Sequence, residues 1–422
     1  MYQFSANVNV NTPGVNMNNY LFSPDPHKYN PFYNDALPTN LFPKVAGSTA
    51  SADFVVTEKD FRFPQVWRTN FGVDQQIGKG WKISFDLLYT KDINATYMFN
   101  ANQTKPDTVV LTGSLSRSAF RNPIANRKIN QNITNAMVLD RTNKGRSFIF
   151  TTQISKAFNK GLYLSVAYNY TFSQDVTANP GSQASSVWSV NPTSRTLNDF
   201  ELAPSNFAVP HRVVATVSYR IEYLKHMATT LAFYYDGSSQ GRYSYVYNGD
   251  INNDGFNQDL LYVPKNALDP NEIKFRDGMP NFPNGVAYSA AQQAQIFENY
   301  IKQDPYLRKH RGQVTERNGA LYPWYNRIDA KLVQDFFLTA GGRRHTLQFS
   351  ADVINLPNLL NGDWGVRKLF TVSNPLKVES ITNGVPTYSI TTFNNAPVTK
   401  TFFDNVSTST TYAIQLGVRY IF

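Results

Sequence analysis

The stretch LYLSVAYNYTF, residues 162–172, decides the fold. Leu162, Leu164, Val166, Tyr168, Tyr170 and Phe172 share one parity, and Tyr163, Ser165, Ala167, Asn169 and Thr171 the other. Successive side chains of a strand point to opposite faces, so this is a strand with one apolar face and one wet face. The alternation returns in Trp81, Ile83, Phe85, Leu87 and Tyr89, opposed by Lys82, Ser84 and Asp86. It returns again in Val213, Ala215, Val217, Tyr219 and Ile221, and in His345, Leu347, Phe349, Ala351 and Val353. It ends the chain in Tyr412, Ile414, Leu416, Val418, Tyr420 and Phe422, opposed by Gln415, Gly417 and Arg419.

The spacing between these strands separates a membrane barrel from a soluble sandwich. Strands near 65–77 and 81–99 are joined by Gly78-Lys79-Gly80, and those near 146–156 and 162–173 by the five residues 157–161. A third pair turns near Glu222 to His226, and a fourth through Ala340-Gly341-Gly342-Arg343. Between the pairs lie long polar connections at 100–145, 174–210, 236–325 and 356–409. Short turns at one end and long loops at the other are the outer-membrane pattern, periplasmic and extracellular respectively. Tyr2, Phe4, Ala6, Val8 and Val10 also alternate. Counting up and down from that segment, about ten strands return Phe422 to the periplasmic side, where such barrels end. The fold class is therefore all-β: a transmembrane antiparallel barrel with long extracellular loops.

Composition agrees. Charged residues are 17% and aromatics 14% of 422 residues, while the mean hydropathy is −0.39. No run approaches the roughly 18 apolar residues of a membrane helix. Only every second residue of a barrel strand meets lipid, and that produces this mixture of aromatic richness and moderate polarity. The absence of cysteine removes disulfides, thiolate metal sites and a thiol nucleophile. The net charge of +10 comes from scattered Lys and Arg, not from a stripe, so no nucleic-acid partner is expected. Residues 1–10, MYQFSANVNV, have neither the basic nor the apolar region of a signal peptide, so an N-terminal part is expected to precede them.

One loop carries a helix signal. Ser289 with Gln292 forms a capping box, Ala290, Ala294, Phe297 and Ile301 share a helical face, and Pro305 stops it. The sharpest local motif is Asp250-Ile-Asn252-Asn-Asp254-Gly255. Oxygens at positions one, three and five, with glycine at six for the bend, match the start of a calcium loop. Asp250, Asn252, Asp254, the Phe256 carbonyl and Asp259 are its candidate ligands, and Leu261 stands where the usual glutamate would be. An Asn/Asp/Gly-rich turn without any metal explains the same residues. Beyond that candidate structural Ca²⁺, no cofactor is expected. The histidines His27, His211, His226, His310 and His345 are dispersed, and no GxSxG elbow occurs, so no enzyme is expected. Arg327, Asp329, Lys331, Asp335, Asp352 and Arg419 fall on the wet parity of their strands, as a solvated lumen lining would.

Seven segments carry a family resemblance: 64–77 (PQVWRTNFGVDQQI), 87–97, 209–219, 247–264 (YNGDINNDGFNQDLLYVP), 306–319, 323–336 and 345–365. Together they resemble the C-terminal barrel region of TonB-dependent outer-membrane receptors, in the Oar-like branch related to SusC-type transporters. The ending LGVRYIF, 416–422, is similar to that family's last strand. The resemblance implies that residues 1–422 are the C-terminal portion of a plugged barrel of roughly 22 strands. It implies energised import of a bulky nutrient, or ligand binding at the cell surface, in the outer membrane of a Gram-negative bacterium. The implied partners are outer-membrane lipid, the TonB system through a plug region, and a surface lipoprotein. Tyr412, Ile414, Leu416, Val418, Tyr420 and Phe422 resemble the signal read by the barrel assembly machinery. A small stand-alone barrel, porin or membrane enzyme, is the alternative. A secreted calcium- or glycan-binding β-sandwich is a third.

Overall fold

The structure, a computed structural model, describes residues 52–121, 127–131, 133–280 and 286–422. The strand expected at 1–10 lies outside the described residues. Among the described residues, nine strands paired in succession form a continuous antiparallel wall: β1 (Gln65–Ile77), β2 (Trp81–Asn100), β3 (Arg146–Ala157), β4 (Leu162–Asp175), β5 (His211–Tyr223), β6 (Met227–Ser239), β7 (Trp324–Ala340), β8 (Arg343–Ile354) and β9 (Ala413–Ile421). Each pairs with its neighbour in chain order, so the wall is an uninterrupted meander.

Register gathers most of the apolar side chains of all nine strands onto one face. One row runs Phe71, Leu87, Phe150, Tyr170 and His211, and another Val217, Phe233, Ala330, Val353 and Ile414. A slip of one residue would turn every such set inward, so the pattern and the pairing fix one another. The short turns need left-handed backbone. Gly341 and Gly342 provide it without strain, with φ of 60° and 76°. Leu224 and Lys225 adopt φ of 50° and 58° in the turn between β5 and β6, a conformation that side chains with a Cβ resist.

The long connections fold together into a cap. Its core gathers Tyr243, Tyr245, Tyr247, Ile251, Leu261, Phe297, Tyr300, Ile301, Leu376 and Tyr388. The helix forms at Ala290–Gln303, with Ser289 Oγ accepting from the Gln292 N–H and Gln292 Oε1 accepting from the Ser289 N–H. Phe297 and Ile301 are fully buried on the expected face. Asp304 caps the following turn: its Oδ1 accepts from the N–H groups of Tyr306 and Leu307, and its Oδ2 accepts from the hydroxyls of Tyr245 and Thr401. A ten-residue strand at Ile133–Thr142 was not expected: it pairs with the outer half of β2 and extends that hairpin beyond the wall.

Candidate functional site

Two sets of polar residues are candidates for function: the wet face of the wall, and the acidic loop in the cap. Strand parity places Arg212, Arg220 and Glu222 of β5, Asp236 of β6, and Arg327, Asp329, Lys331 and Asp335 of β7 on the wet face. Arg344, Gln348 and Asp352 of β8, and Arg419 of β9, share it. These charges are mostly paired. Arg327 grips Asp329 through two nitrogens at 2.8 and 2.7 Å, and Lys331 meets Asp352 at 2.7 and 3.0 Å. Asp335 accepts from Arg220 at 2.8 Å and from Gln348 at 2.8 Å. Arg212 holds Asp236 at 3.0 and 2.9 Å. The six residues expected on the wet parity are all there. Arg212, Arg220, Glu222 and Asp236 join them, and the even-numbered parity of β5 already signalled the first three. A self-paired lining keeps the interior hydrated without a strong field of one sign.

The opposite face is apolar and exposed. Leu416, Val418 and Phe422 are 77%, 68% and 78% exposed, and Tyr412, Ile414 and Tyr420 lie on the same parity. The described strand is Ala413–Ile421, so Tyr412 and Phe422 flank it instead of pairing within it. Tyr420 reaches His345 Nδ1 at 2.7 Å across the ladder. A soluble protein does not leave contiguous apolar surface of this extent in water.

In the cap, residues 250–256 form a tight turn. The N–H groups of Asp254 and Gly255 donate to the two oxygens of Asp250, at 3.0 and 2.6 Å. Asp254 accepts from the Phe256 N–H at 3.0 Å and from Asn252 Nδ2 at 3.1 Å. Asp259 closes onto the same turn: one carboxylate oxygen accepts from the Ile251 N–H at 3.1 Å and the other from Arg117 at 2.9 Å, with the Arg117 and Asp259 side chains both buried. Arg127 approaches Asp250 at 4.0 Å and donates to Asn253. Among the described residues no three His, Asp or Glu side chains gather as a metal shell. The expected turn is present, then, but its carboxylates are dispersed onto two arginines and backbone donors. Burial, then Asp259, then Asp250 push the Asp254 carboxyl up to about 7. Burial also outweighs Arg117 and pushes Asp259 up to about 6. Asp254 is thus a buried carboxyl with no cationic partner among the described residues.

A wall that is apolar outside and charged inside, with short turns below and a folded cap of loops above, defines an outer-membrane β-barrel. Residues 1–363 match the family model described as outer membrane beta barrel domain, and the chain belongs to that family. No curated protein matches it. A solved structure titled "NanC porin structure in rhombohedral crystal form" covers 69% of this chain and 84% of its own, at 11% identity and a TM-score of 0.15. A likeness that low carries no argument about function. The protein resides in the outer membrane.

Proposed function

We propose that this wall is the C-terminal portion of a larger, plugged barrel of the TonB-dependent, Oar-like type, which imports a bulky nutrient or binds a ligand at the cell surface. The observation that carries the reading is the charged, self-paired wet face of β5 to β8, with Arg220–Asp335, Arg327–Asp329 and Lys331–Asp352, which the two outermost strands continue. Arg68, Asn70, Asp74 and Gln76 of β1, and Gln415 and Arg419 of β9, are exposed. In an eight-stranded barrel the lumen is filled by side chains from facing walls, whereas 16 or more strands leave a channel or hold a plug. A wall lined by this many paired charges fits the wide class, and the seven resembling segments favour the receptor over the porin within it. Catalysis is not part of the proposal, because the acids of β5 to β8 are engaged by neighbouring cations or amides. The terminal set Tyr412, Ile414, Leu416, Val418, Tyr420 and Phe422 would serve as the assembly signal.

The test is expression of this chain alone behind a signal peptide, followed by conductance and uptake measurements. An unplugged pore, or failure to assemble, is the expected result. Energy-dependent uptake by this chain alone would overturn the proposal. The DNA upstream of Met1 is a second test: an in-frame plug-coding region supports the receptor, and a promoter with a clean start site supports a stand-alone barrel.

A further inference from the structure

Lys156 puts a charge on the lipid-facing side of the wall. The row that crosses the sheet near its short turns runs Ile77, Trp81, Lys156, Leu164 and Val217, partners in successive ladders. Every other member of the row is apolar. The Lys156 ammonium lies 5.0 Å from the Trp81 ring centre and 4.5 Å from that of Phe158, and the two rings meet edge to face at 6.0 Å. Among the described residues no carboxylate pairs with it. Aromatic faces attract and orient an ammonium, but they do not neutralise it. A lysine on the lipid side is tolerated near the interface and costly at the midplane. Lys156 is the penultimate residue of β3, so its charge sits at headgroup depth. In the next row toward the midplane Gln75 stands on β1, while Ile83, Ile154 and Val166 on β2 to β4 are aliphatic and offer a track for an acyl chain.

We propose that Lys156, held between Trp81 and Phe158, binds the phosphate of a phospholipid headgroup in the leaflet at the short-turn end of the barrel. The ligand is the lipid-borne phosphate and not a free ion, because the cation opens onto the surface that already faces lipid. Lys160, exposed in the same turn, adds a second positive charge nearby.

Native mass spectrometry of the refolded full chain, with phosphatidylglycerol added in detergent, tests this. Wild type should retain the lipid. Lys156→Gln should lower the bound fraction about fivefold, the equivalent of about 1 kcal/mol for one lysine at an anionic surface. Lys156→Arg should restore it, and Lys309→Gln on the cap should leave it unchanged. A diglucosyl diacylglycerol of the same chain length lacks phosphate, and wild type should release it. Inorganic phosphate should not compete. Equal retention by wild type and Lys156→Gln, or equal retention of the two lipids by wild type alone, would overturn the proposal. So would displacement by inorganic phosphate.

Discussion

Replacing Asp254 by Asn should reverse its effect on stability as pH changes. Burial beside Asp259 and Asp250 raises its carboxyl from 3.8 to about 7 in the folded cap. A group raised on folding contributes stability that is fully present below its unfolded value and lost as pH rises through its folded value. At about 1.36 kcal/mol per pH unit, wild type should lose about 4 kcal/mol between pH 4 and pH 8 from this group. The substitution removes that dependence but also removes an acceptor. The introduced amide has a single oxygen, which could accept from the Phe256 N–H or from Asn252 Nδ2, not from both, and one hydrogen bond is worth about 1 kcal/mol. Asp254→Asn should therefore be about 3 kcal/mol more stable than wild type at pH 8, level with it near pH 4.5, and slightly less stable below. Hydrogen exchange at residues 250–263 in the refolded protein reads this directly. The same experiment separates a proton from calcium. An ion at the weak, extracellular end of the range would stabilise wild type at pH 8 by about 2.7 kcal/mol at one hundred times its dissociation constant. If calcium protects wild type by that amount and the variant not at all, an ion neutralises this loop and the proton argument fails. A gap between the two proteins that stays constant from pH 4 to pH 8 would refute it as well.

Two further substitutions test the wall. Leu416→Arg should cost about 2–4 kcal/mol in a refolding titration, because it puts a charge on the lipid face near mid-membrane. Gln415→Arg, one residue away on the wet face, should be mild, and equal costs would defeat the facing assignment. Leu224→Gly in the β5–β6 turn should stabilise by about 1 kcal/mol, since the left-handed backbone there strains a residue with a Cβ. A loss of stability in urea would show that the exposed Leu224 side chain contributes more than its backbone costs.

The wall was legible in the sequence because lipid imposes a two-residue period over every strand. Trp81 to Tyr89, Leu162 to Phe172 and Ile414 to Tyr420 all keep it. The cap was not legible. Tyr243, Tyr245 and Tyr247 read as residues of a polar loop, yet their rings are buried and their hydroxyls are anchored, Tyr245 on Asp304. Ile133–Thr142 was missed because Asn135, Asp140 and Arg141 interrupt its alternation, and its pairing with β2 depends on a distant partner. Site residues divide the same way. Parity identified Asp335 as wet-facing, but parity carries no register, so its bond to Arg220 on β5, two strands away, appears only once the sheet is assembled. The turn at Asp250 was readable from Asn, Asp and Gly. The two arginines beside its carboxylates come from positions 117 and 127, more than a hundred residues earlier.

The cap and wall are joined by charge as well as by chain. Arg317, only 4% exposed, reaches down from the cap and donates to Asp175 Oδ1 at 2.8 Å, at the outer end of β4. Asn318 beside it donates to the Pro204 carbonyl and accepts from Arg242 through its own carbonyl. Residues 317 and 318 thus strap the cap to β4 and to the short strand Ala203–Pro204 that pairs with its outer end. Breaking a buried ion pair by removing one partner costs about 3–5 kcal/mol, because a charge is left without compensation. Swinging the cap away from β4 would separate the same pair, although water could then reach both ions and recover part of that cost. Side-chain contacts and loops that lack such a strap open at far lower cost. Any rearrangement that admits a ligand to the lumen is therefore cheaper within the loops of the cap, or at the wall's outer strands, than by movement of the cap as a body about β4.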